Sequence, residues 1–235
     1  MVQTPVKAGG PVQWTEAALP TLWAALVEDC NAAIAIVDAD GHFLFANDVL
    51  TNIISPEKGT IVGFRYHDFF SHDFADERVR FIRQALEFGR GITIEGICRG
   101  RFRRTMVRPI PPDANGKRRV LKVSRPASAM DATASGAGRP INDLAIRTRY
   151  DDMGPLASLT SRELDIIRLI GAGLSTAEIA KRLHRSVKTI EWHRVSLGNK
   201  LGVANRVELA RIAIGAGLVS LDDTVKEPDA EPAGA

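Results

Sequence analysis

The sequence predicts two dissimilar halves, an α+β domain on an antiparallel sheet followed by an all-helical domain. Three observations carry this. Short apolar segments broken by tight-turn residues fill residues 30–126. From residue 155 onward, helix-start signals recur at Thr160, Ser175 and Ser186 with no strand-like run between them. Between the two lies RPASAMDATASGAGRPIND (125–143), rich in Ala, Ser, Gly and Pro and poor in large apolar groups. The expected layout is a flanking helix in 1–29, the α+β domain in 30–126, a linker in 127–154, the helical domain in 155–221 and a tail in 222–235.

In the first half, AIAIV reads as a strand, DADG as a tight turn and HFLFAN as a second strand. Asn47 and Asp48 can start a helix. DERVRFIRQALEFG is amphipathic, with Val79, Ile82, Ala85 and Leu86 on one side and arginines elsewhere. GITIEGICR, RFRRTMVRPI and RRVLKVSR are three further strands, the last two joined through Asn115-Gly116. The result is a five-stranded antiparallel sheet with helices.

In the second half, Thr160 and Glu163 form a capping box, and Leu164, Ile167 and Ile170 then share a face. Ser175 and Glu178 repeat the device ahead of Ile179, Ala180 and Leu183. Ser186 follows two residues later and can cap a third helix running to about Leu201. Two helices joined by so short a turn make a helix-turn-helix.

The start of that third helix, SVKTIEWHR (186–194), carries six different polar side chains and an indole, with only Val187 and Ile190 apolar enough for a core. At ~100° per residue, Ile190, Leu197 and Leu201 fall on one side. Lys188, Glu191, Trp192, Val195 and Asn199 fall opposite, with Thr189, His193, Ser196 and Lys200 between. Such an outward stripe suits a DNA major groove, where base edges offer donors, acceptors and thymine methyls. Glu191 can accept from a cytosine amino group, and Trp192 and Val195 can pack on methyls or sugars. Lys188 can reach a phosphate or a base. Thr189, His193 and Lys200 are placed to hold phosphates, which fix register without reading sequence. The plainer alternative is that Trp192 covers the domain's own core or meets a partner protein. His193 has no second histidine or cysteine at ligand spacing, so no metal site is expected.

Charge agrees with this division. The net charge is +3, but residues 155–221 hold ten Lys/Arg against five Asp/Glu, while the tail from 222 holds five acids and one lysine. The helical block is therefore the expected polyanion binder, and the tail reads as disordered. Residues 99–125 hold ten Lys/Arg and one acid, Asp113. Arg101, Arg103, Lys117 and Arg119 alternate as though on one exposed sheet face, which reads as a solvated face or an auxiliary contact with DNA or an acidic surface. No apolar run reaches the ~18 residues of a membrane span, and the N-terminus lacks a secretory core. The two cysteines, Cys30 and Cys98, read as buried free thiols, which suits a reducing cytoplasm. Without a nucleophile–base arrangement, phosphate loop or metal cluster, no enzyme is expected.

LTSRELDIIRLIGAGLSTAEIAKRLHRSVKTIEWHRVSLGNKLGV resembles the LuxR-type (GerE-like) helix-turn-helix of bacterial transcription regulators, over roughly residues 157–219. LTSRE, G-L-S-x-x-E-I-A, S-V-K-T-I-E-x-H and KLGV stand in that family's order and spacing. The resemblance implies that Glu191, Trp192 and Val195 read bases and that Lys188, Thr189, His193 and Lys200 hold phosphates. It also implies that RVELARIAIGAGL is a fourth helix, often a dimer contact. Two positions depart from the pattern. Position 191 is often lysine in the family and is glutamate here. Position 198 is glycine, costing up to ~1 kcal/mol of helix stability. Region 4 of sigma factors shares the opening of this motif. His193, KLGV and the lack of an upstream region-2-like segment favour the LuxR type, and no phospho-receiver half is recognisable.

VDADGHFLFAN, the helix before GITIEG and the three closing strands resemble a PAS domain over about residues 30–126. The resemblance implies a module that binds a small molecule, haem or flavin, or that dimerises. WTEAALPTLWAALVEDC is similar to the flanking helix of PAS dimers, with Trp14, Leu22, Trp23 and Leu26 as its seam. No cofactor is assignable. The cysteine motif of photoactive flavin PAS domains is absent, and His42, His67 and His72 read as surface or satisfied groups rather than haem ligands. Together the resemblances imply a dimeric cytoplasmic regulator of double-stranded DNA, its first half sensing a signal or dimerising. RNA polymerase or an upstream signalling protein is a further candidate partner. The alternative is a PAS adaptor that binds another protein.

Overall fold

A computed structural model describes residues 19–127 and 144–219. The expected seam residue Trp14, residues 128–143 of the expected linker and the acidic tail lie outside them. Helix α1 (Leu19–Asp29) precedes strands β1 (Ala33–Asp38) and β2 (Phe43–Ala46). Helices α2 (Asp48–Ile54) and α3 (His72–Phe88) follow, then strands β3 (Ile92–Cys98), β4 (Arg101–Ile110), β5 (Arg119–Pro126) and β6 (Leu144–Arg147). The helical half holds α4 (Ser161–Gly171), α5 (Thr176–Arg182), α6 (Val187–Leu201) and α7 (Arg206–Gly215).

The sheet order is β2-β1-β5-β4-β3-β6. The five expected strands pair antiparallel, but β6 adds a sixth, parallel to β3 with Ile92 opposite Leu144 and Glu95 opposite Arg147. The sheet is therefore mixed, and part of the expected linker belongs to it. Its inner face packs Ala35, Val37, Ile92, Ile94, Val107 and Val120 against Phe43, Ile61, Tyr66, Ile82 and Ala85. Asn47 fastens the domain's entry: its carbonyl oxygen accepts from the Ile34 and Leu50 amides, and its amide donates to the Val27 and Ala32 carbonyls. One side chain thereby caps α2 and holds α1 to β1. On α1, Trp23 and Leu26 are exposed, Leu22 is half-buried and Val27 is buried.

Three expectations are corrected. On α3, Val79, Ile82, Ala85 and Leu86 are buried as expected, but so are Glu77 and Arg78. Arg78 donates to the Glu77 carboxylate at 3.0 Å, and the same carboxylate accepts the Arg149 and Tyr150 amides at 3.0 and 3.2 Å. The charged pair thus anchors the chain leaving β6, a partner some seventy residues away in sequence. The basic stretch is not one exposed face either. Arg103 is buried and donates to Ser124, and Lys117 pairs with Asp38 at 2.8 Å. Finally, Val187 is 45 % exposed rather than part of a core. It is the first helical residue after the Ser186 cap, before the helix has turned onto its neighbours.

The segment after β6 ties the two halves together. The Thr148 amide donates to the Glu95 carbonyl and the Asp152 amide to the Ile97 carbonyl. Asp151 accepts from the Ile97 amide and Asp152 from the Arg99 amide. A methyl added at Gly96 would collide with Thr148 Oγ1, so the glycine is what admits this segment against β3. Beyond it, a short 3-10 turn (Gly154–Ser158) delivers Leu156 into the helical core. Phe102 of β4 meets Gly217, just past α7, where an added Cβ would lie 3.0 Å away.

Candidate nucleic-acid interface

The helical half is built from its caps. Thr160 and Glu163 close a capping box on α4, and Ser175 and Glu178 close another on α5. Asn205 and Glu208 form a third on α7. After α5 the chain passes through His184 at φ 51, while the Arg185 amide donates to the Ala180 carbonyl at 2.9 Å. This left-handed residue makes the turn tight. Ser186 then accepts the Thr189 amide at 3.1 Å and α6 begins.

Helix α6 has the three faces expected of it. Ile190 and Leu197 are fully buried among Ile166, Ile167, Ile170 and Ile179, a burial that stabilises by about 1.5–3 kcal/mol for each side chain. Opposite them, Lys188, Glu191, Trp192, Val195 and Asn199 are all exposed. Trp192 is 68 % and Val195 64 % exposed, so neither covers the domain's own core. The two leave an open apolar strip along the outer side of α6. Thr189, His193 and Ser196 lie on the half-buried flank. His193 Nδ1 is buried without a hydrogen-bond partner, and its ring meets Trp192 edge-on at 5.3 Å.

Lys200 is placed differently from the rest. Its ammonium donates to Glu163 Oε2 at 2.7 Å and to the Ser158 carbonyl at 3.3 Å. Glu163 also accepts from the Thr160 amide and hydroxyl and, through Oε1, from the Ser196 hydroxyl at 2.8 Å. Burial works against ionising this carboxyl. The Lys200, Thr160 and Ser196 hydrogen bonds outweigh it and hold the pKa down to about 2. One carboxylate therefore caps α4 and clamps α6 by two of its side chains. Gly198 is explained beside it: a Cβ there would lie 2.7 Å from the Val203 carbonyl oxygen, so the glycine lets the chain fold back after α6.

The residues not foreseen are basic. Lys181 and Arg182, in the last turn of α5, and Arg185, in the turn ahead of α6, are all exposed. Their clustering at the helix's N-terminal side was legible in KRLHR, but the turn that gathers them was needed to weigh it.

In the PAS-like half the sequence assigns no residue to a ligand. The inner sheet face carries Lys122, which lies opposite Ala35 on β1 and Val107 on β4. Its ammonium sits 4.6 Å from the Tyr66 ring centroid, and desolvation pushes its pKa down to about 7. The Tyr66 hydroxyl is buried without a partner. A half-buried amine and an unsatisfied phenol thus stand side by side on this face. His42 is not free for one: Nδ1 lies 3.0 Å from Asp38, and Nε2 accepts from Arg65 at 2.6 Å.

Residues 157–213 match the model of the luxR family of bacterial regulatory proteins, and residues 27–129 match the PAS fold. Over 84 residues the chain is 38 % identical to the transcriptional regulatory protein UhpA of Escherichia coli, covering 36 % of this chain and 41 % of UhpA. Over 60 residues it is 42 % identical to the oxygen regulatory protein NreC of Staphylococcus aureus, covering 26 % of this chain and 28 % of NreC. The chain thus spans less than half the length of these relatives. Among solved structures, Vibrio cholerae VqmA overlays 88 % of this chain and 94 % of its own, with a TM-score of 0.42 and 18 % identity. Residues 27–129 are a PAS-fold domain, and residues 157–213 are a helix-turn-helix domain of the LuxR family of bacterial regulatory proteins.

Proposed function

We propose that the chain is a sequence-specific, double-stranded-DNA-binding transcription regulator whose PAS half governs its helix-turn-helix half. The observation that carries this is the open stripe of Lys188, Glu191, Trp192 and Val195 on α6, opposite a fully buried Ile190 and Leu197. In this reading α6 enters the major groove. Glu191, Trp192 and Val195 meet base edges, while Lys188, Thr189 and His193 meet phosphates. The unsatisfied His193 Nδ1 is suited to a phosphate oxygen. Lys200 acts through Glu163 to hold α6 in place and is a positioning residue rather than a phosphate contact. The protein acts as a homodimer on two half-sites, which multiplies a modest single-module affinity. It works in the cytoplasm and catalyses no reaction.

Control by the PAS half needs a path to α6, and residues 144–156 supply the material for one. They are hydrogen-bonded to β3, anchored on Glu77 and continuous with the helical core through Leu156. Arg99 lies at the hub. Its guanidinium donates to the Ile54 and Phe69 carbonyls of the PAS helical segment, and its amide donates to Asp152. A small molecule at Lys122 and Tyr66 would press on the segment that ends at Phe69. The relay from there to Asp152 is one residue wide.

The test is enrichment from a random duplex pool by the full-length chain, followed by titration at several salt concentrations. An enriched motif with two half-sites and a negative dependence of log affinity on log salt is expected. Recovery of unselected sequence would contradict it.

A further inference from the structure

Outside both sites, three side chains of metal-ligating type converge at the start of α3. His67 lies in the short 3-10 turn Tyr66–Asp68, while His72 and Asp76 lie one turn apart on α3. His67 Nε2 is 2.7 Å from Asp76 Oδ1, and the His67 and His72 rings are 5.5 Å apart. One ligand atom from each of the three lies within 4.8 Å of the others. His72 makes no hydrogen bond among the described residues, so the His67–Asp76 contact does not account for its place. In sequence the set has no ligand signature, because the fold, not the spacing, brings His67 over the first turn of α3.

We propose that His67, His72 and Asp76 bind a divalent transition-metal ion of the zinc type. Two imidazoles and one carboxylate are the donor set of a borderline ion that accepts nitrogen and oxygen together. Hard cations such as Mg²⁺ prefer all-oxygen surroundings and would be poorly held. The site is shallow, with His72 and Asp76 exposed, so the fourth position falls to water or to an incoming ligand. The bound ion would pin the 3-10 turn to α3. That turn contains Tyr66, whose unpartnered hydroxyl faces the PAS core, and follows Arg65, which donates to His42. Metal occupancy would therefore stiffen one wall of the PAS interior. The proposal is independent of the DNA-binding reading.

Calorimetric titration of the tag-free full-length chain with Zn²⁺, against Mg²⁺ as control, tests it. One equivalent of Zn²⁺ bound and no measurable Mg²⁺ are expected. His72→Ala and Asp76→Asn should each weaken Zn²⁺ by about tenfold or more, since even indirect supports of a ligand are worth that much. Cys30→Ser and His184→Ala should leave it unchanged. Cys98 is no competitor at neutral pH, because burial pushes its thiol up to about 11. Both ligand variants change exposed side chains, and an unaltered circular dichroism spectrum confirms their folding. No saturable Zn²⁺ binding, or binding equally tight in His72→Ala, would overturn the proposal.

Discussion

Glu163, at the start of α4, lies 2.7 Å from the ammonium of Lys200, near the end of α6. The pair ties α6, the second helix of the helix-turn-helix, to α4 and helps fix the angle at which α6 presents its outer face. The same carboxylate closes the α4 capping box and holds Ser196. Replacing Glu163 by alanine should cost about 2 kcal/mol, combining a lost cap with a lost charged hydrogen bond. Glutamine can keep the box without the charge and should cost about half of that. Urea denaturation of both variants measures it. DNA affinity should fall in step, because α6 loses two of its ties.

The same carboxyl sets an acid limit. Its folded pKa of about 2 lies below the ordinary 4.5, so its contribution to stability is complete above pH 4.5. That contribution is lost as pH falls from 4.5 through about 2. Denaturation midpoints of wild type and Glu163→Gln should therefore converge across this window and stay apart above it.

Trp192 separates binding from folding. At 68 % exposure its truncation to alanine should change stability by less than ~0.5 kcal/mol. Affinity for the selected duplex should fall by about 1–3 kcal/mol, the scale of a good base contact. Lys188→Ala should instead weaken all sequences alike and lower the salt slope by about one. Fluorescence anisotropy at several salt concentrations distinguishes the two.

Gly198 offers a test in which two principles oppose each other. Helix propensity alone would have Gly198→Ala stabilise by up to ~1 kcal/mol. The Val203 carbonyl oxygen, 2.7 Å from the new Cβ, is backbone and must move. We expect destabilisation, read as a lower thermal midpoint.

The joint between halves predicts a local effect. Glu77→Ala removes the acceptor of the Arg149 and Tyr150 amides and leaves Arg78 buried without its carboxylate. Hydrogen exchange at residues 148–153 should rise while exchange in α6 stays protected, as mass spectrometry of peptides would show.

The parts legible in sequence were those with local causes. The caps at Thr160, Ser175 and Ser186, the buried Ile190 and Leu197 and the five antiparallel strands all follow from patterns within a few residues. Strand β6 escaped because LAIR is four residues long and pairs in parallel with a strand some fifty residues earlier. No local turn announces such a pairing. The burial of Glu77 and Arg78 was not legible either, since the partners at 149 and 150 are equally remote. The tie of Lys200 to Glu163 was not legible, because a helical wheel gives direction but not the reach of a carboxylate from another helix. Gly198 looked like a cost until the path of Val203 was seen.

The central claim is that the outward face of α6 reads base sequence, and Glu191 tests it most directly. An acid in a DNA groove repels phosphates, so its presence is justified only if it recognises a base edge such as a cytosine amino group. The measurement is duplex selection with wild type and Glu191→Ala in parallel, with affinities compared across single-base variants of the recovered site. The account predicts that the variant loses discrimination at one or two positions of each half-site and binds unrelated DNA more tightly. An unchanged preference at every position would contradict it.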